Sequence, residues 1–249
     1  MRAKSIFLKR LGAMALAAGI VFGALAANMQ PVSAAAKFKV ADKKYEKTYK
    51  QDNGQVYFEA KGVFPEIKSN SKAAKKINQE LKKAKTEWIK QSKEKASGSN
   101  VTPLPSMNAS DEISYEVTSN DGKYFSVLMS GYDYQGGAHG MPYRIALTFN
   151  AKTGEKLTAA KLFGTTKAKL NAKVRNLYLK KYDTEGVEAG FYEGFASDKS
   201  DRDALKDNLA PMDFNNAFYV KDGKVVFYAN PYDLGPYAAG YIEVSAPVK

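Results

Sequence analysis

The chain has 249 residues, 38 Lys and Arg against 26 Asp and Glu, one histidine and no cysteine, and carries a formal net charge of +12. Without thiols it forms no disulfide and carries no lipid-modified cysteine, and with a single imidazole it lacks the His and Cys ligands that transition-metal sites draw on. The fold must rest on its core, and the length suffices for one.

The first 36 residues read as a secretory signal. Arg2, Lys4, Lys9 and Arg10 precede an uncharged apolar run, Leu11–Ala27, and a small-residue stretch, Pro31–Ala36, suits signal peptidase. An uncleaved anchor is the other reading, because the run approaches the length of a membrane span. Cleavage after Ala36 leaves about 213 residues with a net charge of about +8. A cysteine-free exported chain is expected of a Gram-positive bacterium, secreted or associated with the cell wall. Its basic character suits wall polyanions of the teichoic-acid kind, or serves only solubility. Nucleic acid is not expected outside the cell, and a membrane would be met only through an uncleaved signal.

Past the signal, Lys37–Tyr49 is an extended lead-in or first strand, and Gln55–Phe64 alternates as a strand that Pro65 should end. Ser71–Lys95 is the clearest helix. Ala74, Ile77, Leu81, Ala84 and Trp88 form one apolar stripe, Ser71 caps the start, and lysines fill the other faces. Trp88 lies on the stripe and belongs to the core. Ala96–Ser110 is a Ser/Gly/Pro/Asn loop. Strands follow at Ile113–Thr118, Tyr124–Tyr132 and Tyr143–Phe149, the first two joined by a turn at Asp121-Gly122. Thr158–Phe163 is a helical turn, Thr166–Tyr182 a second helix, Gly186–Ser200 a loop and Asp201–Leu209 a short third helix. Ala217–Val220 and Lys224–Tyr228 make a hairpin, and Tyr241–Ser245 is the last strand. Hairpins dominate, so the expected class is α+β: a mainly antiparallel sheet covered by two longer helices. The N-terminal half, 37–100, and the C-terminal half, 101–249, are expected to pack as one unit.

Two loops concentrate the chemistry. Gly131–Met141 holds Tyr132, Asp133, Tyr134, Gly136, Gly137 and the lone His139, and Pro231–Gly240 holds Tyr232, Asp233 and Tyr237. Tyr143 and Tyr241 flank them. A Ser–His pair would need His139 beside Ser126 or Ser130 with Asp133 as orienter, yet no Gly-x-Ser-x-Gly elbow exists. Asp133 and Asp233 could act as the paired carboxylates of a glycoside hydrolase if they converge to about 5–10 Å. The acids at 198–203 lack the glycine and distal glutamate of a calcium loop and read as the polar start of a helix. Binding is the reading these loops favour, because tyrosine offers a flat apolar face and a hydroxyl to a sugar ring or a protein partner. The same tyrosines also suit sealing a sheet edge. No cofactor and no catalytic residue are expected.

The motif Tyr132-x-Tyr134-x-Gly136-Gly137-Ala138-His139-Gly140, then Phe149-Asn150-x-x-Thr153-Gly154 and Leu162-Phe163, resembles a family of unknown function known from the extracellular part of the anti-sigma factor RsiV. A related module precedes the deacetylase domain of PdaC. Phe218-Tyr219-Val220 and Pro231-Tyr232-x-Leu234-x-Pro236-Tyr237-Ala238-Ala239-Gly240 are similar to its C-terminal signature, and Val56–Ile89, with Ile77-Asn78, to its N-terminal half. The resemblance implies an α+β extracellular domain that binds partners and has no established catalysis. With ten residues before the apolar run, a sigma-binding domain is not expected. RsiV is a lysozyme sensor, so the resemblance makes a lysozyme binder or inhibitor a further alternative, opposed by the like charges of two basic proteins. The expectation is a non-enzymatic binding module of the bacterial envelope for wall glycan, polyanion or an extracellular protein.

Overall fold

A computed structural model describes residues 38–98, 108–193 and 199–248; the signal segment lies outside them. In chain order the elements are β1 (Val40–Lys50), β2 (Val56–Ile67), α1 (Lys72–Gly98), β3 (Ala109–Asn120), β4 (Tyr124–Tyr134), β5 (Met141–Asn150), α2 (Ala159–Phe163), α3 (Lys167–Glu185), α4 (Lys199–Leu209), β6 (Phe218–Lys221), β7 (Lys224–Ala229) and β8 (Ile242–Pro247). The class is α+β, but the strands divide into two sheets, β1-β2-β3-β4-β5 and β6-β7-β8. Four helices are described, so the cover is not confined to the two longer helices expected, and no described helix is long and apolar enough to cross a membrane.

Every pairing is antiparallel except β2 with β3, where Phe58–Gly62 run parallel to Ala109–Ile113. Parallel neighbours need a long crossover, and α1 supplies it on one face of the larger sheet. Strand alternation sorts the side chains. Phe58, Phe125, Val127, Met129, Leu147 and Phe149 pack with Ile77, Leu81 and Trp88 of α1. In the smaller sheet Phe218, Val220, Phe227 and Val244 pack with Leu170, Val174 and Tyr178 of α3, while Tyr219 and Tyr228 turn the other way and meet Leu128 of β4. The layers are therefore α1, larger sheet, smaller sheet, and the C-terminal helices. Periodicity marks the apolar faces, but not that two sheets meet between the helices.

Pro65 does not end β2. The Lys68 amide donates to the Lys39 carbonyl at 2.7 Å, which puts Pro65, opposite Asp42, at a position with no hydrogen bond to β1. Pairing with β3 stops at Gly62, so the missing N–H faces an edge with no strand beside it. Two residues on, Ile67 uses that edge. Its amide donates to Asn78 Oδ1 (2.8 Å) and its carbonyl accepts from Asn78 Nδ2 (2.9 Å). Asn78 thus stands in for a neighbouring strand and pins the start of α1, which Ser71 caps through the Ala74 amide.

The far end of α1 is held by a carboxylate. Asp111 on β3 is fully buried and accepts from Ser92 Oγ (2.8 Å), Lys95 Nζ (2.9 Å) and the Tyr143 hydroxyl (2.5 Å), while Trp88 Nε1 donates to that hydroxyl at 2.5 Å and lies 3.3 Å from Asp111 Oδ1. Trp88, Ser92 and Lys95 recur at helical spacing and share one face. Lys95 also reaches Asp133 on β4 at 3.0 Å. Tyr143 comes from β5 and must cross β4 to arrive, and it does so over Gly131. A Cβ there would sit 2.1 Å from its ring. The glycine opening the Gly-Tyr-Asp-Tyr motif is thus a packing requirement of Tyr143.

Removing one partner of a buried charge pair strands the other, at a cost of about 3–5 kcal/mol. Lys95→Met, which leaves the fully buried Asp111 without its cation, should lose stability on that order in urea unfolding, and Gly131→Ala should destabilise by displacing Tyr143. Burial acts to lower the Lys95 pKa, but the hydrogen bonds and charges of Asp111 and Asp133 outweigh it and leave it raised above the ordinary 10.5. A raised folded pKa means the contribution is complete below the unfolded value and fades as pH climbs through the folded one. The stability gap between the native chain and Lys95→Met should therefore hold at pH 7–9 and shrink above pH 10.5.

Candidate functional site

The loop 135–140 joins β4 to β5, and the loop 230–241 joins β7 to β8, one from each sheet. In the first, Gly136 (φ 102°) and Gly137 (φ 92°) take backbone angles that favour glycine. Two tyrosines of β4 brace it. The Tyr134 hydroxyl donates to the Gly137 carbonyl (3.0 Å), and the Tyr132 hydroxyl accepts from the Gly140 amide (2.7 Å). In the second loop Asp233 Oδ2 accepts from the Asn230 amide (2.7 Å) and side chain (3.1 Å), and the Tyr232 amide donates to the Gly235 carbonyl (3.0 Å). This turn holds Tyr232 at φ 72°, a left-handed angle that strains a bulky side chain.

The loops meet. The His139 ring stacks on Tyr237 with centroids 4.0 Å apart and planes 26° apart, and Tyr232 stands 5.9 Å from Tyr237 at 37°. His139 Nδ1 lies 2.9 Å from the Gly140 carbonyl, which can only accept, so the proton sits there. Nε2 then accepts from the Tyr232 hydroxyl at 3.3 Å. His139 and Tyr232 are exposed, Tyr232 at 47%, and Tyr237 is half-buried. Three rings and the Gly136–Ala138 backbone thus form one surface, held from beneath by Tyr132.

Not every residue of the two motifs belongs to it. Asp133 projects to the α1 face and is engaged by Lys95 and by Gln135 Nε2. Asp233 is taken up by its own turn. Each carboxylate thus has a local structural partner. The imidazole is committed to Tyr232 and Tyr237, while Ser126 bonds Thr148 (2.9 Å) and the Val220 amide (3.0 Å), so a Ser–His pair is not formed there. Tyr143 lies in the Asp111 cluster and Tyr134 is buried, so neither is a contact residue. Among the described residues no group of three or more His, Cys, Asp or Glu could hold a metal ion. Of the acids at 198–203, Asp198 lies outside the described residues, and Asp203 pairs with Lys206 within α4.

Sequence reasoning missed Arg144. From β5 it pairs with Glu243 of β8 (2.5 Å), and its guanidinium lies 3.7 Å from the centre of the Tyr241 ring and 5.4 Å from that of Tyr228. The Tyr219 hydroxyl donates to the same carboxylate at 3.1 Å. This knot ties the sheets together beside the loops they carry, and it is the place of Tyr241. A lone arginine in an alternating strand gave no signal of it.

The fold and the loop surface define a module of two packed sheets whose connecting loops converge on an aromatic platform. Residues 51–142 match the family model described as Deacetylase PdaC, and residues 160–249 match Protein of unknown function DUF3298. The resemblance seen in the sequence holds: the chain carries a PdaC-type segment followed by a DUF3298-type segment, an accessory type of module whose function is unknown. The crystal structure of a DUF3298 family member from Bacteroides fragilis is 17% identical, with 85% of this chain and 91% of that one covered at a TM-score of 0.55. A DUF3298 family protein from Pseudomonas aeruginosa is 16% identical, with 84% and 90% covered at 0.56. At these identities the likeness is one of fold. No curated protein matches the chain.

Burial, and then the Tyr132 hydroxyl bonded to it, push the Tyr237 phenol up to about 12. An acid raised in the folded state contributes stability below its unfolded pKa of about 10 that is lost as pH climbs through the raised value. Tyr237→Phe should therefore remove a phenol that ionises near 12 in an ultraviolet titration, and Tyr132→Phe should bring that phenol down toward 10.

Proposed function

We propose that the chain is a secreted, non-enzymatic binding module of the bacterial envelope, and that His139, Tyr232 and Tyr237 are the contact surface for the sugar rings of wall glycan. The observation that carries the reading is Tyr232. A bulky aromatic held at a left-handed angle with nearly half its surface exposed costs stability. A glycine would relieve the strain, and a polar side chain would relieve the exposure. A ring already held against Tyr237 and oriented loses little freedom on binding, which favours affinity. Aromatic faces suit the apolar C–H faces of a pyranose, while the Tyr232 and Tyr237 hydroxyls and the loop backbone offer polar partners. The extracellular setting rests on the signal-like N-terminus and on the envelope role that the resemblance implies. An extracellular protein is the other partner class that such a surface fits.

Co-sedimentation with peptidoglycan stripped of its anionic polymers tests the reading at moderate salt. The native chain should pellet, and Tyr232→Gly and Tyr237→Ala should each lose at least tenfold in affinity. Strain relief offsets lost ring contacts in Tyr232→Gly, which should keep its stability within about 1 kcal/mol. A native chain that stays in the supernatant, or variants that pellet equally, would overturn the glycan reading.

A further inference from the structure

The positive charge is not spread over the molecule. Residues 38–98 hold 16 lysines against 8 acids, whereas residues 108–248 hold 16 lysines and arginines against 18 acids. The excess therefore resides in β1, β2 and α1.

Within α1 it is ordered. At about 100° per residue, Lys72, Lys75, Lys76, Lys82, Lys83, Lys90 and Lys93 fall within an arc of about 120°. That arc lies opposite the stripe of Ala74, Ile77, Leu81, Trp88 and Ser92 that packs on the sheet. All seven are exposed, and they form a ridge about 32 Å long. Lys83 pairs with Glu80 and Lys90 with Glu94. Lys72, Lys75, Lys76, Lys82 and Lys93 form no ion pair with a described carboxylate.

The arrangement works against the helix that carries it. The first turn of α1 has no acidic residue. Instead, three lysines crowd the positive end of the helix dipole, and like charges recur at the spacings where helical side chains repel. A solvated face needs only mixed charges. Glu94 shares the arc and Glu80 and Glu87 border it, but seven cations to one acid within it, placed where they cost helix stability, point to an anion outside the molecule.

We propose that this ridge binds a linear phosphodiester polymer of the cell envelope, of the poly(glycerol phosphate) kind, laid along α1. A straight row one helix wide suits a chain of regularly spaced phosphates. A membrane surface suits it less, because the apolar face of α1 is buried and the large exposed apolar residues among those described, Met141, Val187 and Tyr232, lie on other elements. A nucleic-acid strand would call for stacking rings along the groove, and the ridge has none. The site rests on the envelope setting of the proposed function but is separate from the aromatic platform, so the peptidoglycan and polymer assays fail independently.

Direct binding of the full chain to purified poly(glycerol phosphate) tests the proposal. With about five phosphates engaged, the single-strand phosphodiester slope gives a loss of about 100-fold in affinity between 50 and 200 mM salt. The variant K72E/K75E/K82E/K93E should lose binding by at least tenfold with an unchanged far-UV circular dichroism spectrum, while Tyr232→Gly should bind as the native chain does. A milder set, Lys→Gln at the same positions, keeps the test alive if the charge-reversed chain misfolds. Undiminished binding by either folded set, or binding confined to anionic vesicles or to double-stranded DNA, would overturn the proposal.

Discussion

A single buried carboxylate organises the larger half of this molecule. Asp111 sits where α1 crosses β3 and gathers an indole, a hydroxyl, an ammonium and a phenol around it. Left without those partners it would be too costly to bury, so each donor's position follows from it. Trp88, Ser92 and Lys95 set the rotation of α1 about its own axis. Tyr143 sets what β4 can carry at position 131, and Lys95 extends the cluster to Asp133. With Asn78 clamping the other end of the helix on Ile67, α1 is fixed at both ends by polar contacts and along its length by the apolar stripe. Its lysine ridge is consequently held outward.

The cluster also reaches the aromatic platform. Asp133 lies two residues before the loop 135–140, and Met141, paired with it across the strands, opens β5. Lys95 thereby steadies the base of the loop from the α1 side, while Tyr132 and the Arg144–Glu243 knot steady it from the side of the smaller sheet. The platform is a product of that two-sided support.

Much of this was legible in the sequence. Periodicity placed α1, its buried face and Trp88, and alternation placed seven of the eight strands. The two Gly/Tyr motifs marked the loops that meet. What was not legible depends on partners far apart along the chain. Asp111 is one acid before a strand, Lys95 one lysine among many, and Arg144 a lone cation in an alternating run. Nothing local separates Tyr143, which crosses β4 over its glycine, from Tyr237, which stacks in the open. Pro65 misled because its rule applies to a strand flanked on both edges, and here one edge is free at that point. The division into two sheets, too, is decided by which faces meet, and periodicity shows only that faces exist.

The claim on which the functional account turns is that the two loops form their platform in the free protein, before any ligand arrives. The chain has one histidine, so His139 gives one set of imidazole proton resonances. Stacked 4.0 Å from Tyr237, they should be shifted well upfield of an unstructured histidine by the ring current, and Tyr237→Ala should return them to unstructured values while the fold persists. Imidazole resonances at unstructured positions in the free native protein would contradict the account.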